Sequence, residues 1–435
     1  MRDEERAEVG DGEGSPGAVK TVWIVNHYAA LTSKDGWAGR HQALAERLSE
    51  HGWQAILLLA STSHPDGVQH LQTRRLRSFG IENDVKHVMY TAPAYTGNGV
   101  GRIVNMLAFT ANVLRPGGTD RLPRPDVVIG STVHPAAAYA GWRLAKRHRV
   151  PFVFEIRDVW PDALVHLGQL TAGSVPARAM TRLMRTLTRH ADLVLSPLPA
   201  IDQYVASLGY RTPVMWLANG TDGDMLEAGP EPQDWPEEAA GARPFTFMYL
   251  GSLGKAMDLE TIMGAFVRAK ASCPDIPMEL RVVGSGARKA ELVRFAEALG
   301  ADARISFEDR VPRTEVLRKA AEADCLVHAL HDHPVYAYGV SPNKIFDYLL
   351  AARPIVFAAH APRNPVSEAQ AGEVVSPEDM DAMAAAMRRV AHLAPPQRAR
   401  MGAAGRRLAI GEYSYRALAA RFADRLDAML NESRV

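Results

Sequence analysis

Short apolar runs alternate with longer helical segments along most of this 435-residue chain, and that alternation constrains the fold most. Near-continuous apolar runs are typical of strands buried on both faces of a parallel sheet, with helices packed over it. The chain is too long for one ordinary hydrophobic core, so the sequence predicts an α/β protein with two doubly wound, Rossmann-like domains facing across a cleft. The predicted strands cover residues 22–25, 54–60, 126–130, 151–155, 193–196, 245–250, 278–283, 325–330 and 355–359, and residues 85–90 predict an edge strand.

A Pro- and acid-rich stretch at residues 229–244 predicts the boundary between the two domains. We expect a first domain over residues 20–220 and a second over residues 221–410, followed by a C-terminal segment, residues 411–435. The charged, Gly-rich residues 1–19 lack the apolar core of a signal peptide and predict a disordered tail.

Composition excludes several classes of protein. The formal net charge of +1 argues against general nucleic-acid binding. The two cysteines, Cys273 and Cys325, lie in apolar surroundings, and two cysteines exclude a disulfide framework. No apolar run approaches the length of a membrane span, so the sequence favours a cytoplasmic protein.

Residues 334–356 predict a loop, a short helix and a buried strand. Ser341 is a favourable N-cap, and Pro342 suits the first helical position. Lys344 then lies in the first turn, where free backbone N–H groups favour an anion. Asp347 lies on the same helix face, where its carboxylate can accept hydrogen bonds from sugar hydroxyls. An anion site beside a hydroxyl acceptor predicts a nucleotide-diphosphate site.

This stretch resembles the donor-site signature of the family-four retaining glycosyltransferases of the GT-B fold, a Glu, seven residues and a second Glu. The most similar subgroup makes bacterial polysaccharides and reads roughly Y-G-I-S-P-N-K-L-F-E-Y-M-A-A-G-K-P-V; this chain reads Y-G-V-S-P-N-K-I-F-D-Y-L-L-A-A-R-P-I. Asp347 stands at the second Glu and Gly339 at the first, where the subgroup also has Gly. The resemblance covers nearly the whole chain after the tail. It implies a final helix, within residues 411–435, that crosses back onto the first domain.

A second resemblance lies at residues 155–162, E-I-R-D-V-W-P-D, where the subgroup reads E-V-R-D-L-W-P-E. Charged residues beside Trp and Pro at the end of a strand suit a cleft better than a core. We expect Arg157 and Asp158 to line the acceptor side and to act in catalysis, and we expect Glu155 to line the cleft with them. The alternative is that these three side chains only pair with one another. His134 follows another strand and is a catalytic candidate, with a structural hydrogen-bonded histidine as the alternative.

Loops that follow strands supply further candidates. The Gly-rich turn from Gly251 to Lys255 lets backbone N–H groups approach a diphosphate. The loop containing Gly36 and Gly39 is expected on the acceptor side, although such glycines also serve ordinary turns. The full donor-side set is Gly251, Gly254, Lys255, Gly284, Arg310, Ser341, Asn343, Lys344 and Asp347. Lys344 is also a catalytic candidate, because Lys255 and Lys344 can stabilise a leaving diphosphate.

Two motifs bear on metals. Asp222-Gly223-Asp224 has the Asp-x-Asp pattern, but its place after Asn219-Gly220 predicts a turn between the domains. His331-Asp332-His333 predicts a polar loop, because successive side chains diverge. We therefore expect no metal and no cofactor.

A basic amphipathic helix is predicted at residues 176–190, with Arg178, Arg182, Arg185 and Arg189 along one face. A solvated surface is one interpretation. The other is peripheral contact with anionic lipid head groups, or with a lipid-diphosphate acceptor, at the inner face of the membrane.

The resemblance implies transfer of a sugar from a nucleotide-diphosphate sugar, such as a UDP-sugar, to an acceptor hydroxyl with retention at the anomeric carbon. The acceptor is a sugar, a lipid-linked molecule or another small molecule in bacterial polysaccharide or glycoconjugate synthesis. One alternative is a nucleotide-sugar epimerase on the same fold. Another is a non-catalytic sugar-nucleotide-binding partner, which the glycine at 339 would suit.

Overall fold

The computed structural model describes residues 19–71, 75–97, 99–166, 168–221, 243–361 and 363–432, and the Asp222-Gly223-Asp224 turn and residues 1–18 lie outside these ranges. Within these ranges, the first half of the chain forms eight strands and seven α-helices. In order they are β1 Lys20–Val25, α1 Thr32–Asp35, α2 Arg40–Leu48, β2 Trp53–Ala60, β3 Arg77–Glu82, β4 Val85–Tyr90, α3 Val100–Leu114, β5 Val127–Ser131, α4 Pro135–His148, β6 Phe152–Glu155, α5 Asp162–His166, α6 Val175–His190, β7 Leu193–Ser196, α7 Ile201–Ser207 and β8 Val214–Trp216.

The second half repeats the alternation of strand and helix. Its elements are β9 Phe245–Leu250, α8 Leu259–Ala271, β10 Met278–Val283, α9 Lys289–Ala298, β11 Ile305–Glu308, α10 Val316–Ala320, β12 Cys325–Ala329, α11 Asn343–Leu350, β13 Ile355–Ala358, α12 Pro365–Glu368, β14 Gly372–Val375, α13 Met380–His392, α14 Pro395–Gly411 and α15 Tyr415–Glu432.

Each half builds one sheet with helices on both faces. The first sheet has the order β3-β4-β2-β1-β5-β6-β7-β8, and the second has the order β11-β10-β9-β12-β13-β14. All neighbouring strands are parallel except β3 and β4. Separate hydrophobic clusters lie on the two faces of each sheet. The predicted fold class, two doubly wound α/β domains, is confirmed.

The apolar runs of the sequence do not predict four of the strands, β3, β8, β11 and β14. β3 pairs antiparallel with β4, so β4 is not the edge strand that the sequence predicts. Asn83 and Asp84 both have positive φ, 46° and 62°, as the central residues of a two-residue hairpin turn do. β3 faces solvent, with Phe79 and Ile81 exposed, so it lacks the buried pattern used to find the other strands. β14 lies at an edge of the second sheet and is half-buried, so it also lacks the buried pattern.

The last helix packs on the first sheet rather than on the second. Leu418 and Phe422 of α15 belong to the same hydrophobic cluster as Leu57 of β2. The Asp427 carboxylate accepts a hydrogen bond from Trp53 Nε1 at 2.8 Å and pairs with Lys20. Among the helices that the structure describes, none combines the length and the apolar character needed to cross a membrane.

Candidate functional site

A cavity of about 260 Å³ opens at the carboxyl ends of β9 and β10, beside the start of α11. Carboxyl ends of parallel strands are where open α/β sheets bind ligands. We call it the donor cavity. It is lined by Leu250, Gly251, Ser252, Val283, Gly284, Ser285, Arg310, Val311, Arg313, Val316, Lys344, Asp347 and Tyr348.

Two positions in the floor of the donor cavity must be glycine, because neighbouring atoms approach their backbone closely. A Cβ at Gly251 would lie 2.0 Å from Lys344 Cε. A Cβ at Gly284 would lie 1.8 Å from the carbonyl oxygen of Gly251. The two strand ends and the lysine therefore pack together only without side chains at these two positions.

Lys344 lies in this cavity without a carboxylate partner in the described part of the chain. Its Nζ lies 2.9 Å from Tyr249 Oη, 3.4 Å from Ser252 Oγ and 3.3 Å from Met257 Sδ. Burial lowers the pKa of Lys344 to about 8. A partly desolvated ammonium group with only neutral neighbours is suited to bind an anion.

Tyr348 fixes the helix that carries Lys344. Its hydroxyl accepts a hydrogen bond from the Leu250 N–H at 2.8 Å and donates one to the Leu250 carbonyl at 3.0 Å. Both groups of Leu250 lie at the end of β9. The start of α11 is therefore tied to the loop that begins with Gly251.

Asp347 is buried, and its carboxylate is held by Arg313. The two side chains form a two-point ion pair, with Arg313 Nη2 donating to Asp347 Oδ1 at 2.7 Å and Arg313 Nη1 donating to Asp347 Oδ2. Arg313 was not predicted from the sequence. It follows β11 and Pro312, and so reaches the same sheet edge as the other donor-side loops. A sugar hydroxyl would meet a guanidinium–carboxylate pair here, not an isolated carboxylate.

A second cavity, of about 280 Å³, lies between the domains, and we call it the cleft cavity. Met257, which lines it, also contacts Lys344, so Lys344 lies between the two cavities. The lining residues are Arg157, Asp158, Val159, Pro197, Leu198, Asn219, Met257, Leu330, Tyr336, Gly339, Val340, Ser341 and Pro342.

Arg157 and Asp158 face this cavity from the end of β6. The Arg157 backbone N–H donates to Thr132 Oγ1 at 2.9 Å, which fixes the loop against the end of β5. The Asp158 carboxyl is accessible from the cleft but is surrounded by atoms of both domains. Desolvation therefore raises its pKa, and the charge of Arg157 opposes the rise only in part.

The sequence predicts Ser341 as the N-cap of α11, and this prediction is wrong. The N-cap position is Pro342, and Ser341 instead joins the two domains. Its hydroxyl accepts from the Asn219 backbone N–H at 3.1 Å, and its carbonyl accepts from Asn219 Nδ2 at 2.7 Å. Ser341 therefore lines the cleft cavity and not the donor cavity.

Gly339 has a structural reason to be glycine. Its φ is +93°, and a Cβ there would lie 2.5 Å from Pro199 Cγ of the first domain. Next to it, the Tyr338 carbonyl accepts from the Ala200 N–H at 3.0 Å. This glycine therefore permits an interdomain contact.

The prediction that Glu155 lines the cleft is wrong. Its side chain is fully buried, 3.1 Å from Arg40 Nε and 2.7 Å from His41 Nε2. Burial alone would raise its pKa, but His41 and Arg40 hold the pKa of Glu155 well below its usual range. Arg40 also donates to the Leu217 carbonyl at 2.8 Å, so this cluster joins α2, β6 and the end of the first domain.

His134 is likewise buried and lines neither cavity. Its Nδ1 accepts from the Ala137 N–H at 3.2 Å at the start of α4, so its Nε2 carries the proton. That Nε2 lies 2.8 Å from His27 Nδ1. Burial lowers the pKa of His134 to about 3, which keeps the ring neutral. These contacts agree with the alternative interpretation, in which His134 is a structural, hydrogen-bonded histidine.

Several other predicted residues lie outside both cavities. Gly36 ends α1 in the left-handed conformation, and Gly39 is the N-cap of α2. Lys255 and Asn343 have exposed side chains outside the donor cavity, and Gly254 is in the turn before Lys255. Of the loop glycines and cations predicted to bind the donor, the cavity brings together Gly251, Gly284, Arg310 and Lys344.

One cluster of potential metal ligands was not predicted from the sequence. His331, predicted as part of a plain polar loop, lies beside Asp258 and Glu378, and the ligand atoms of the three residues are within 4.8 Å of one another. His331 Nδ1 lies 3.1 Å from Glu378 Oε1, and the Asp258 side chain also caps α8. None of the three lines either cavity.

Sequence comparison matches both halves of the chain to glycosyltransferase families. Residues 36–220 match a family described as "Glycosyl transferase 4-like domain", and residues 244–392 match one described as "Glycosyl transferases group 1". A search of curated protein sequences found no match.

Solved structures share the fold over almost the full chain. A sucrose-phosphate synthase from Thermosynechococcus elongatus is 14% identical, with a TM-score of 0.68 over 95% of this chain and 100% of its own. The Anabaena HepE protein in complex with UDP-glucose is 15% identical, with a TM-score of 0.61 over 94% of this chain and 99% of its own. An E. coli trehalose-6-phosphate protein bound with UDP-2-fluoro glucose is 11% identical, with a TM-score of 0.69 over 94% and 99%.

Proposed function

Because this chain belongs to the family-four glycosyltransferases of the GT-B fold, we propose that it transfers a hexose from a UDP-sugar to an acceptor hydroxyl with retention at the anomeric carbon. One observation carries the proposal. Lys344 lies between a cavity built from glycine-containing strand ends and a cavity lined by Arg157 and Asp158.

The donor cavity fits a nucleoside diphosphate. Gly251 and Gly284 let backbone groups approach the diphosphate, and Lys344 supplies a positive charge that no carboxylate of the described residues contacts. The Asp347–Arg313 pair can hold ribose hydroxyls, with the carboxylate accepting and the guanidinium donating. The solved structures with UDP or UDP-glucose support a uridine donor for a chain of this fold.

The cleft cavity would hold the acceptor and the transferred sugar. Arg157 and Asp158 lie on the first domain and Lys344 on the second, so the reacting groups meet between the domains. Lys344 stabilises the charge that develops on the leaving diphosphate. Arg157 and Asp158 orient the acceptor hydroxyl. No pair of catalytic carboxylates of the hydrolase kind is needed. The resemblance of residues 334–356 supports retention and a role in bacterial polysaccharide or glycoconjugate synthesis.

A transfer assay tests this function. The protein is incubated with labelled UDP-sugars and a lipid and saccharide extract, and the product is analysed for label and anomeric configuration. We expect UDP release that depends on the acceptor and a product with the configuration of the donor. Donor conversion without acceptor would indicate an epimerase. UDP binding without turnover of any UDP-sugar would indicate a non-catalytic partner.

A further inference from the structure

The outer face of α3 is apolar and exposed. Val100, Ile103, Val104 and Leu107 are 75%, 55%, 48% and 56% exposed. Their spacing places them on one side of the helix, opposite the buried Phe109. These four are a third of the twelve large apolar side chains that are exposed in the described parts of the chain. Such a concentration on one helix indicates a surface that meets an apolar phase or a partner.

α4, which packs beside α3, and α6, which packs beside α4, carry basic residues and no acidic ones. α3, α4 and α6 together contain no Asp or Glu, and they carry one, three and four Lys or Arg residues, respectively. The whole chain, in contrast, has 50 basic and 49 acidic residues. The exposed basic residues on α4 and α6 are Arg143, Lys146, Arg147, Arg178, Arg182, Arg185 and Arg189.

The three helices form one continuous surface. Phe109 of α3, Leu144 of α4 and Leu187 of α6 belong to one hydrophobic cluster on the same face of the first sheet. The Arg147 guanidinium donates to the Leu114 carbonyl at 2.9 Å, which links α4 to α3. The rings of Trp142 on α4 and His190 on α6 are 5.0 Å apart.

We propose that the α3–α4–α6 surface docks the protein on an anionic lipid bilayer. The apolar stripe of α3 would enter the interfacial layer, and the cations of α4 and α6 would contact lipid phosphates. Both features point to this occupant. A polyanion in solution would not require four exposed aliphatic side chains, and an ordinary protein partner would not require a surface without acids. The opposite face of the first sheet lacks this pattern, because α2 and α15 carry acids such as Glu46 and Asp424.

This surface also extends to the acceptor side of the cleft. Arg102, in the first turn of α3, donates from Nε to Tyr28 Oη at 3.1 Å. Tyr28 follows β1, and Arg157 follows β6, so both lie at the carboxyl edge of the first sheet. The docked orientation therefore brings the bilayer close to the first-domain side of the cleft. If the proposed transfer reaction is correct, the acceptor is lipid-linked and reaches the cleft from the membrane.

The test is flotation of the full chain with vesicles of phosphatidylcholine alone or mixed with phosphatidylglycerol. We expect the wild-type protein to float only with the anionic vesicles and to be released by high salt. Ile103→Ser with Leu107→Ser, and Arg182→Glu with Arg185→Glu, should each weaken binding by at least about tenfold. Arg400→Glu with Arg407→Glu on α14, an exposed basic pair on the other domain, is the matched control and should bind as the wild type does.

Unchanged circular dichroism and UDP affinity establish that each variant is folded. Failure of the wild type to bind anionic vesicles, or equal loss in the control variant, overturns the docking surface. A concentration-dependent dimer that the α3 variants abolish, without vesicle binding, assigns the stripe to a second copy and also overturns it. Vesicle binding needs no donor, so it remains valid if transfer fails. Transfer without vesicle binding contradicts the docking surface alone.

Discussion

At the scale of single residues, the sequence predicted which side chains belong to the donor site more reliably than it predicted what those side chains contact. Lys344 and Asp347 were placed in a donor site by helix position, and both line the donor cavity. Arg313 was missed because it is distant in sequence and is joined to Asp347 only by the fold. Glu155 was misplaced because strand position alone does not distinguish the buried end of a strand from the loop after it.

The lowered pKa of Lys344 predicts how UDP affinity depends on pH. A diphosphate stabilises the charged amine, so the pKa rises on binding from about 8 in the free protein. Between about pH 7 and pH 8 the amine is largely protonated in both states and the UDP phosphate is ionised, so affinity should be nearly constant. Above pH 8 binding must take up a proton, so affinity should fall by up to about tenfold per pH unit.

Titration calorimetry in two buffers of different ionisation enthalpy measures this proton uptake directly. Lys344→Met should bind UDP more weakly at neutral pH and lose the dependence above pH 8. A wild-type affinity that stays flat from pH 7 to 10 would refute the assignment of the anion site to this amine.

Asp158 is expected to act in transfer rather than in donor binding, because it lines the cleft cavity and not the donor cavity. Asp158→Asn should keep the UDP affinity of the wild type and lose most of its turnover at saturating donor. The raised pKa adds a pH test. Turnover should fall as the pH drops through the pKa of the carboxylate, and the variant should lack that acid limb. Weakened donor binding with normal turnover would contradict the role.

At the scale of elements, buried strands were predictable and exposed strands were not. β5 is buried along its whole length and reads as an apolar run. β3 is half-exposed, and only its Asn83-Asp84 turn could have revealed the hairpin. The start of α11 was displaced by one residue because Ser341 bonds to Asn219 of the first domain, a tertiary contact that replaces the expected cap.

The loop before α11 provides a prediction about the interdomain contact. Gly339→Ala must place a Cβ against Pro199 in a left-handed conformation, at a cost of about 1–3 kcal/mol. We expect a lower melting temperature and reduced turnover. Gly411→Ala is the control, since a Cβ there meets nothing within 4 Å. Equal melting temperatures for Gly339→Ala and the wild type would show that this contact does not hold the loop.

At the scale of the whole molecule, the fold brings the ends of two sheets to face one cleft. We expect transfer to proceed without a divalent metal, because Lys344 and the start of α11 can offset the diphosphate charge. Turnover after exhaustive chelation should equal that with magnesium or manganese. Turnover that is lost on chelation and recovered with metal would contradict this expectation. Asp222 and Asp224, which lie outside the described residues, would then be the first candidate ligands to test.

The central claim is that the cavity between the ends of β9 and β10 and the start of α11 binds the nucleoside diphosphate. Calorimetric titration of UDP into the wild type, Lys344→Met and Lys270→Met tests it most directly. Lys270 is a half-buried lysine on α8 that lies outside both cavities, so its replacement controls for lost charge. The account predicts a loss of about 1.5–3 kcal/mol of binding free energy for Lys344→Met and none for Lys270→Met. Equal UDP affinity in all three proteins would contradict it.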